Sequence, residues 1–503
     1  MKKILSNVLL LSSILLFSAC SGGTAPSNDS DSTADTTKVT TDADSSASIQ
    51  EYTDPTQLKE VYDVIVVGSG GAGMSAAIQA KDAGANPVIL EKMPIAGGNT
   101  LKASAGMNAS QTKFQREQGI DDSNELFFEE SLKGGGGTND QELLRYFVDH
   151  SADAIDWLDS MGIRLDNLTT TGGMSEKRTH RPTDGSAVGE YLVDGLLRNI
   201  HERDIPLFVN ANVTKINQTD GVINGVNVTI NGEDKTIAAK AVIVTTGGFG
   251  ANMDLVIKNK PELKGYVTTN QEGSTGDGIK MIQELGGQTV DLDQIQIHPT
   301  VDQTKSLLIT EAVRGEGAIL VSQEGKRFFN EMETRDKVSE AIIALPEQAA
   351  YLIFDSGVKE RVKAIDFYEK QGLTVKAETP EDLAKALKMP EESLKPTLDA
   401  WNKAVESKMD TEFNRSTAMD NKLAAGPYYA IKIAPGIHHT MGGVKINTNT
   451  QVINTNNQII PGLYAAGELT GGLHGNNRIG GNAVADIIIF GRQAGEQAAK
   501  SIK

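Results

Sequence analysis

Residues 62–73 read Tyr-Asp-Val-Ile-Val-Val-Gly-Ser-Gly-Gly-Ala-Gly, in which an apolar run typical of a buried strand leads into the pattern G-x-G-x-x-G. The alanine-rich residues 74–83 predict a helix, and residues 88–90 predict a second strand that ends at Glu91. Strand, glycine turn, helix, strand and acid follow in the order of a dinucleotide-binding βαβ unit. The sequence therefore predicts an α/β fold with a Rossmann-type domain here.

Each glycine of the turn has a physical role in such a unit. Gly68 permits the turn, Gly70 lets the backbone approach a pyrophosphate, and Gly73 lets the helix pack closely on the strand. The partial positive charge at the helix N-terminus favours the phosphates. Glu91 follows Gly73 by 18 residues, where a carboxylate accepts hydrogen bonds from ribose hydroxyls.

Two later stretches favour FAD over NAD as the dinucleotide. Residues 241–248 (Ala-Val-Ile-Val-Thr-Thr-Gly-Gly) and 462–468 (Gly-Leu-Tyr-Ala-Ala-Gly-Glu) each predict a strand that ends in a glycine turn. They resemble the later strands of glutathione-reductase-type FAD domains, in which the acid of the last motif approaches the flavin ribityl chain. The resemblance implies an FAD-binding domain that is split along the sequence.

The chain between these parts changes to a mixed pattern of helices and strands. We interpret residues 293–438 as an inserted α+β capping domain that covers the flavin and provides the substrate site. Residues 56–292 are then the first part of the FAD-binding domain, and residues 439–503 are its second part.

The N-terminus has the pattern of a bacterial export signal. Basic residues 2–3 precede the apolar residues 8–17, which are too few to span a membrane comfortably. Residues 17–20 (Phe-Ser-Ala-Cys) resemble a lipobox, with Phe in place of the usual Leu. We predict a lipoprotein signal peptide over residues 1–20 with lipidation at Cys20; the alternative is an uncleaved or simply secreted signal with an incidental cysteine.

The segment after Cys20 is too polar to form a core. Residues 21–49 contain no aromatic side chain and are rich in Ser, Thr, Asp and Ala, so we predict a disordered linker over residues 21–55. Signal and linker together predict a protein that is lipid-anchored on the extracytoplasmic side of the cell membrane.

Composition restricts the partners and cofactors. The formal net charge is −18, so nucleic acid is an unfavourable partner, and an anionic substrate needs a local cluster of positive charge. The 503 residues contain one cysteine, which cannot form an internal disulfide, an iron–sulfur site or a thiolate zinc site. A C-x-x-C-H haem motif does not occur, so we expect neither haem nor iron–sulfur cluster, and no metal site.

Polar motifs concentrate within and just after the predicted insertion. They are Gln-Ile-His-Pro-Thr (296–300), Thr-Glu-Ala-Val-Arg-Gly (310–315), Gly-Lys-Arg-Phe-Phe-Asn-Glu (325–331) with Thr-Arg-Asp (334–336), and His-His-Thr-Met-Gly-Gly (438–443) with Gly-Asn-Asn-Arg-Ile-Gly-Gly-Asn (475–482). In this order they resemble the flavoprotein part of the soluble, flavocytochrome c-type fumarate reductases. The resemblance covers roughly residue 55 to the end of the chain.

The resemblance implies a role for each charged or polar position of the motifs. It implies that His298 and Thr310 hold one substrate carboxylate, and that His439 and Arg478 hold the other. It implies that Arg335 donates a proton to the substrate carbon. The residues that resupply this proton are then Glu311 and Arg314.

The FAD-binding residues are expected around the glycine turns. We predict contacts from Gly68, Gly70, Gly71, Ala72, Gly73, Glu91, Lys92, Gly97, Gly98, Asn99, Gly106, Thr246, Gly247, Asp277, Gly467, Glu468 and Ala483. Residues 97–104 lie where membrane-bound relatives carry a flavin-linking His, and they contain no His, so we predict non-covalent FAD. Electrons are expected from an external donor: a quinol, a surface flavoprotein or a cytochrome.

Reduction of an electron-poor C=C bond fits these residues. It needs a hydride at one carbon and a proton at the other, and fixed cations stabilise the charge that moves onto a carboxylate. An arginine is a poor general acid by ordinary rules, so its role as donor rests on the resemblance alone. We predict FAD-dependent reduction of fumarate to succinate.

Three alternatives stay open. In the first, the chain is such a reductase but its substrate is another unsaturated acid, such as urocanate, methacrylate or another acrylate. His298 argues against urocanate, because the resembling urocanate enzymes carry Tyr there. In the second, the chain is a different flavin dehydrogenase or oxidase on the same fold. In the third, it is a surface lipoprotein that binds a ligand without turnover.

Overall fold

The computed structural model describes residues 51–503. The predicted signal peptide, the predicted lipidation site Cys20 and residues 21–50 of the predicted linker lie outside the described residues. Among the helices of residues 51–503, none has both the length and the apolar character needed to cross a membrane.

The strands of the described chain form several sheets. They are β1 (Val61–Val67), β2 (Pro87–Leu90), β3 (Met107–Asn108), β4 (Asn167–Thr169), β5 (Thr179–Arg181), β6 (Leu207–Phe208), β7 (Ala211–Thr219), β8 (Val222–Ile230), β9 (Glu233–Val244), β10 (Thr289–Val290), β11 (Ile295–Asp302), β12 (Leu307–Leu308), β13 (Ile319–Val321), β14 (Ala350–Asp355), β15 (Thr374–Ala377), β16 (Tyr428–Thr440), β17 (Gly443–Val444), β18 (Gln451–Ile453) and β19 (Ile459–Ala465).

The α-helices cover the sheets and join them. They are α1 (Gly71–Asp82), α2 (Lys113–Glu117), α3 (Asn124–Gly134), α4 (Gln141–Asp149), α5 (Ser151–Ser160), α6 (Val188–Glu202), α7 (Met253–Asn259), α8 (Asp277–Glu284), α9 (Ala312–Gly315), α10 (Arg335–Ile343), α11 (Ser356–Arg361), α12 (Ala364–Lys370), α13 (Pro380–Ala386), α14 (Leu394–Ser407) and α15 (Asn482–Ser501). Short 3₁₀ helices span Pro55–Gln57, Gly98–Lys102, Pro261–Leu263 and Gly467–Leu469.

The largest sheet is built from both ends of the described chain. Its order is β18-β19-β9-β1-β2-β6, and the pairs β19–β9, β9–β1, β1–β2 and β2–β6 are parallel. The strands β7 and β8 extend it from β9 as an antiparallel meander. The predicted α/β class is confirmed, and so is a parallel sheet whose strands come from two separated parts of the sequence.

The first βαβ unit shows why the glycine turn is needed. A Cβ at position 73 would lie 2.0 Å from the carbonyl oxygen of Gly68, so only glycine lets α1 start directly on β1. The helix begins at Gly71 with Gly70 as its N-cap, three residues before the predicted start at Met74. The turn glycines thus form the first helical turn, which the apolar pattern alone did not indicate.

A second sheet comes from the middle of the chain. Its strands pair antiparallel in the order β12-β11-β16-β14-β13, and β15 also pairs with β16. This sheet and the helices around it enclose a second hydrophobic core, which runs from Ile309 to Ile433 in the sequence. The first core contains Ile295 and Ile437, so β11 and β16 carry the chain from one core to the other.

Candidate active site

The predicted cofactor residues cluster at one edge of the parallel sheet. The turn from Gly68 to Gly73 follows β1, Thr246 and Gly247 follow β9, and Gly467 and Glu468 open the 3₁₀ helix after β19. Carboxyl ends of parallel strands share an edge, which is where nucleotides bind in doubly wound sheets. Ala483 lies in the first turn of α15, which packs along α1.

The turn has the shape and the donors that a dinucleotide needs. A Cβ at Gly70 would lie 3.7 Å from Thr100 Oγ1, an ordinary van der Waals distance, so packing within the protein does not by itself require glycine here. Glu91 Oε2 accepts hydrogen bonds from the Ser69 amide and hydroxyl, both at 2.8 Å, which fixes the acid beside the turn. These residues therefore fit an FAD whose phosphates lie on the N-terminus of α1.

Other predicted cofactor residues have partners within the protein. Lys92 Nζ lies 2.6 Å from Asp277 Oδ2, and Asn99 Nδ2 donates to Asn270 Oδ1 at 2.6 Å and to Glu468 Oε2 at 3.2 Å. Packing accounts for several of the glycines. Added Cβ atoms would lie 2.5 Å from a neighbouring atom at Gly71, Gly97 and Gly106. Their contacts with FAD, and those of Gly98, stay predictions.

The predicted substrate residues come together from separate elements and are all buried. His298 lies in β11, Thr310 and Glu311 immediately precede α9, Arg314 lies within it, Arg335 starts α10, His439 lies in β16, and Arg478 lies in the loop before α15. None of these side chains belongs to a residue more than 6% exposed. A buried set of this kind must satisfy its charges internally or with a ligand.

Glu311 is the anion at the centre of the set. Its Oε1 accepts from Arg335 Nε at 2.8 Å, its Oε2 accepts from Arg335 Nη2 at 3.0 Å, and Arg314 Nη2 lies 3.4 Å from Oε1. Burial alone would raise the pKa of Glu311, but the charge and hydrogen bonds of Arg335, with Arg314 and His298, hold it well below its ordinary value. Glu311 is therefore ionised at neutral pH and forms a bidentate pair with Arg335.

Gln296 joins the two arginines of the site and was not assigned a role from the sequence. Its Oε1 accepts from Arg335 Nη1 at 2.9 Å and from Arg478 Nη2 at 3.2 Å. Its Nε2 donates to Asn477 Oδ1 at 2.8 Å and to the Arg478 carbonyl at 2.7 Å. The signal that could have found it is its position two residues before His298, because alternate residues of a strand share a face.

His298 is held as a neutral hydrogen-bond donor. The amide of Thr300 donates to His298 Nδ1 at 3.2 Å, so the neutral ring carries its proton on Nε2. Burial, and then the charge of Arg335, keep the pKa of His298 well below its ordinary value. Its Nε2 has no hydrogen-bond partner among residues 51–503, so it is a donor available to a ligand.

His439 is also buried, like His298, but its ring has different neighbours. Its Nδ1 lies 3.7 Å from Glu468 Oε1, and its Nε2 has no hydrogen-bond partner in the described chain. Burial, and then Arg478, lower its pKa well below the ordinary value. The ring of His474, to which the sequence assigned no role, meets the His439 ring edge-on at 5.5 Å, and its Nε2 lies 3.5 Å from Asp486 Oδ2.

Thr310 and His438 make contacts that bear on their predicted roles. The Thr310 hydroxyl donates to the carbonyl of Ser104 at 3.2 Å, so it must turn away from Ser104 before it can donate to a substrate. His438, for which a structural role is expected, has its Nδ1 2.8 Å from the Thr269 hydroxyl. Its ring lies 5.3 Å from that of His298.

Arg478 carries positive charge that the protein only partly compensates. Burial, and then repulsion by Arg335, lower its pKa to about 9, and its Nε has no hydrogen-bond partner among residues 51–503. Burial also raises the pKa of Glu468, so this neighbouring acid is a weaker counter-charge. Two arginines pair with Glu311 and Arg478 adds a third positive charge to the site, in a chain of net charge −18, so an anionic ligand would complete the site.

Two further features support Glu311 and Arg314. A Cβ at Gly480 would lie 1.9 Å from Glu311 Oε2, so glycine is required where the last motif passes the carboxylate. Behind Arg314, the carbonyl of Glu331 accepts from Arg314 Nη1 at 2.6 Å, and Arg415 Nη2 donates to the Arg314 carbonyl at 2.8 Å. Arg327 pairs with both side-chain oxygens of Glu331 at 2.8 Å. The motif of residues 325–331 therefore fixes the carbonyl group that holds Arg314.

A metal site needs several ligating side chains close together. Residues 51–503 contain no group of three or more His, Cys, Asp or Glu side chains placed to hold a metal ion.

The chain resembles known proteins over most of its length. Residues 63–484 match the family described as an FAD binding domain. An NADH:fumarate oxidoreductase of Klebsiella pneumoniae (strain 342) is 56% identical over 441 residues, which are 87% of this chain and 48% of that protein. A fumarate reductase (cytochrome) of Shewanella frigidimarina is 46% identical over 448 residues, which are 88% of this chain and 78% of that protein.

A solved structure agrees in fold as well as in sequence. The open conformation of a flavocytochrome c3 fumarate reductase matches with a TM-score of 0.72 and 41% identity, covering 89% of this chain and 79% of that one. This likeness confirms the predicted Rossmann-type FAD domain with a capping domain. With a parallel sheet that fits FAD and a buried cluster of arginines and neutral histidines beside it, the chain belongs to the FAD-binding family of fumarate reductase flavoproteins.

Proposed function

We propose that this chain is an FAD-dependent reductase that converts fumarate to succinate. The observation that carries the proposal is the buried cluster in which Glu311 pairs with Arg335 while Gln296 links Arg335 to Arg478. The names of relatives that are 46% and 56% identical support the same activity. The chain spans about half the length of the first of these relatives, so that protein's NADH-linked activity is not transferred to this chain.

The unpartnered donors suit a dicarboxylate. His298 Nε2 and Thr310 are proposed to hold one carboxylate, and His439 Nε2 and Arg478 the other. Both histidines are neutral, and His298 binds by donating its Nε2–H, whereas Arg478 contributes charge. A dianion would also compensate the positive charge that remains around Arg335 and Arg478 after Arg335 has paired with Glu311.

Reduction adds a hydride to one carbon of the double bond and a proton to the other. FAD, when bound and reduced, supplies the hydride. Arg335 is proposed to supply the proton, and the carboxylate of Glu311, at 2.8 Å and 3.0 Å from its guanidinium, then passes a replacement proton to Arg335. Arg314, 3.4 Å from Glu311, is the next member of this relay. Arg478 stabilises the negative charge that develops on the adjacent carboxylate.

The electrons for each turnover must come from outside the chain. Two electrons leave the flavin with every fumarate reduced, so an external donor has to restore them. A membrane quinol, a surface flavoprotein or a cytochrome is the proposed donor.

We also propose that Cys20 carries a lipid that anchors the protein outside the cytoplasmic membrane. The lipobox-like residues 17–20 and the polar residues 21–49 support this proposal. The full chain, produced in a bacterium that processes lipoproteins, should incorporate radiolabelled fatty acid, and Cys20→Ala should not. Ser30→Ala in the linker is the control and should be labelled like the wild type, and labelling of Cys20→Ala would disprove lipidation at this residue.

The activity is tested with the FAD-loaded protein and a reduced viologen as artificial donor. Fumarate, urocanate and methacrylate are added separately, and donor oxidation is followed. We expect rapid oxidation with fumarate alone. Oxidation only with another acid would keep the flavin chemistry but contradict the roles of His298 and Thr310, and no oxidation with any of them would contradict the proposed function.

A further inference from the structure

Thr171 contacts the proposed proton relay of Arg335, Glu311 and Arg314, although it lies outside the sequence motifs that predicted this relay. It lies two residues after β4, in the part of the chain that precedes the second core, and it is 3% exposed. Its hydroxyl donates a hydrogen bond to Glu311 Oε2 at 2.9 Å. A buried hydroxyl that donates to an ionised carboxylate forms a charge-assisted hydrogen bond, which is stronger than a neutral one.

The contact completes the set of donors around the carboxylate. Oε1 of Glu311 accepts from Arg335 Nε and lies near Arg314 Nη2, whereas Oε2 accepts from Arg335 Nη2 and from Thr171. The last torsion of a glutamate is broad, so the carboxylate plane is set by its partners. Thr171 is the partner that holds Oε2 on the side away from Arg314.

The surrounding backbone leaves little freedom for another arrangement. A Cβ at Gly480 would lie 1.9 Å from Glu311 Oε2 and 2.7 Å from the Thr171 hydroxyl oxygen. The hydroxyl, the carboxylate oxygen and the Gly480 backbone therefore fill one narrow slot. Loss of the hydroxyl would leave Oε2 with Arg335 as its one remaining donor among the described residues.

We propose that Thr171 is a positioning residue of the proton relay, which fixes the Glu311 carboxylate so that both of its oxygens face the Arg335 guanidinium. This inference rests on the proposed fumarate reduction. Thr171 acts through Glu311, so it affects the return of the proton to Arg335. Substrate affinity, which is assigned to other side chains, should not depend on it.

The test compares Thr171→Val with Thr171→Ser in the FAD-loaded protein. Val keeps the shape but removes the donor, whereas Ser keeps the donor. With fumarate and a reduced viologen, we expect kcat of Thr171→Val to fall by about tenfold or more, the change expected for loss of a hydrogen bond to a charged group. The KM for fumarate should stay within about twofold, because binding and chemistry use different contacts.

Further readouts separate positioning from a general effect on the fold. The solvent deuterium isotope effect on kcat should increase in Thr171→Val, because the proton return becomes slower. FAD content and thermal unfolding are measured on the same samples. Thr170→Val is the matched control, because it changes a neighbouring buried threonine in the same segment.

Several results would overturn the inference. Unchanged kcat in Thr171→Val, an equal loss in Thr171→Ser, or a rise in KM alone would each show that the hydroxyl does not position the relay. If Thr171→Val fails to hold FAD, Thr171→Ala and Thr171→Ser are compared by the same criteria. An inactive wild-type protein would instead contradict the proposed function, so the two failures are distinguishable.

Discussion

The side-chain oxygen of Gln296 accepts a hydrogen bond from Arg335 Nη1 at 2.9 Å and another from Arg478 Nη2 at 3.2 Å. One neutral amide thus holds two buried guanidinium groups that would otherwise repel each other. The first belongs to the residue that starts α10, and the second to the loop before α15. This link sets the spacing between the proposed proton donor and a proposed carboxylate ligand.

Replacement of Gln296 should therefore weaken the binding of fumarate more than it lowers the FAD content. In Gln296→Met the volume is nearly kept, but the acceptor is lost and Arg478 is no longer fixed. We expect the KM for fumarate to rise by about tenfold or more. Steady-state kinetics and FAD content measure this, with Gln303→Met, a change outside the cluster, as control. A normal KM in Gln296→Met would contradict the role of the link.

Arg335→Ala should abolish turnover while fumarate still binds. Its guanidinium is the proposed proton donor, and general acid catalysis contributes about 10²- to 10⁴-fold to a rate. We expect a loss of kcat of at least this size, measured with the viologen assay, while fumarate binding is followed by flavin absorbance. Arg145→Ala, at a partly exposed position where it breaks the pair with Glu125, is the control. Turnover retained in Arg335→Ala would disprove the assignment.

Glu311→Gln should affect both stability and its dependence on acid. The variant leaves Arg335 and Arg314 without their counter-charge, so we expect a loss of about 3 kcal/mol in unfolding free energy near neutral pH. The pKa of Glu311 is lowered on folding, so the stability it contributes is present above its unfolded pKa of about 4.3 and is lost as the pH falls towards the folded pKa.

Denaturant unfolding of both proteins at about pH 7 and about pH 4 checks this prediction. The difference in unfolding free energy between wild type and Glu311→Gln should be smaller at the lower pH. A difference that grows as the pH falls would contradict the lowered pKa. Activity should also fall in Glu311→Gln, since the relay loses its central member.

His180 provides a pH prediction away from the proposed chemistry. Burial lowers its pKa to about 4, and its Nε2 lies 2.8 Å from the Thr112 hydroxyl. Between this value and the unfolded pKa of about 6.5, the unfolded chain binds a proton that the folded chain does not. Stability from this group therefore falls as the pH drops below about 6.5, by up to about 1.4 kcal/mol for each pH unit.

His180→Asn should remove that part of the pH dependence. Unfolding free energies at about pH 7 and about pH 5 should differ less in the variant than in the wild type. Ser160→Ala, at an exposed position that does not titrate, is the control and should leave the slope unchanged. An unchanged slope in His180→Asn would show that folding does not lower the pKa of His180.

Much of the fold was predictable because the signals are local. The strand, glycine turn and helix around Gly68 and Gly73 lie within about twenty residues, and the steric reason for each glycine is the same in the sequence and in the structure. The start of α1 was placed three residues late, because glycines are poor helix formers and the apolar pattern did not include them. The glycine-ended strands predicted a split domain, whereas the order β19-β9-β1-β2 of its parallel sheet came from the structure.

The sequence by itself determined the FAD-type fold, the acidic character of the chain and the residues that the motifs contribute. Only the tertiary structure decided how those residues are held. Thr171 reaches Glu311 across 140 positions, and Arg478 reaches Gln296 across 182, so neither pair leaves a periodic or spaced pattern in the chain. The protonation of the buried groups depends in the same way on burial and on neighbouring charges, which exist only after distant segments have packed together.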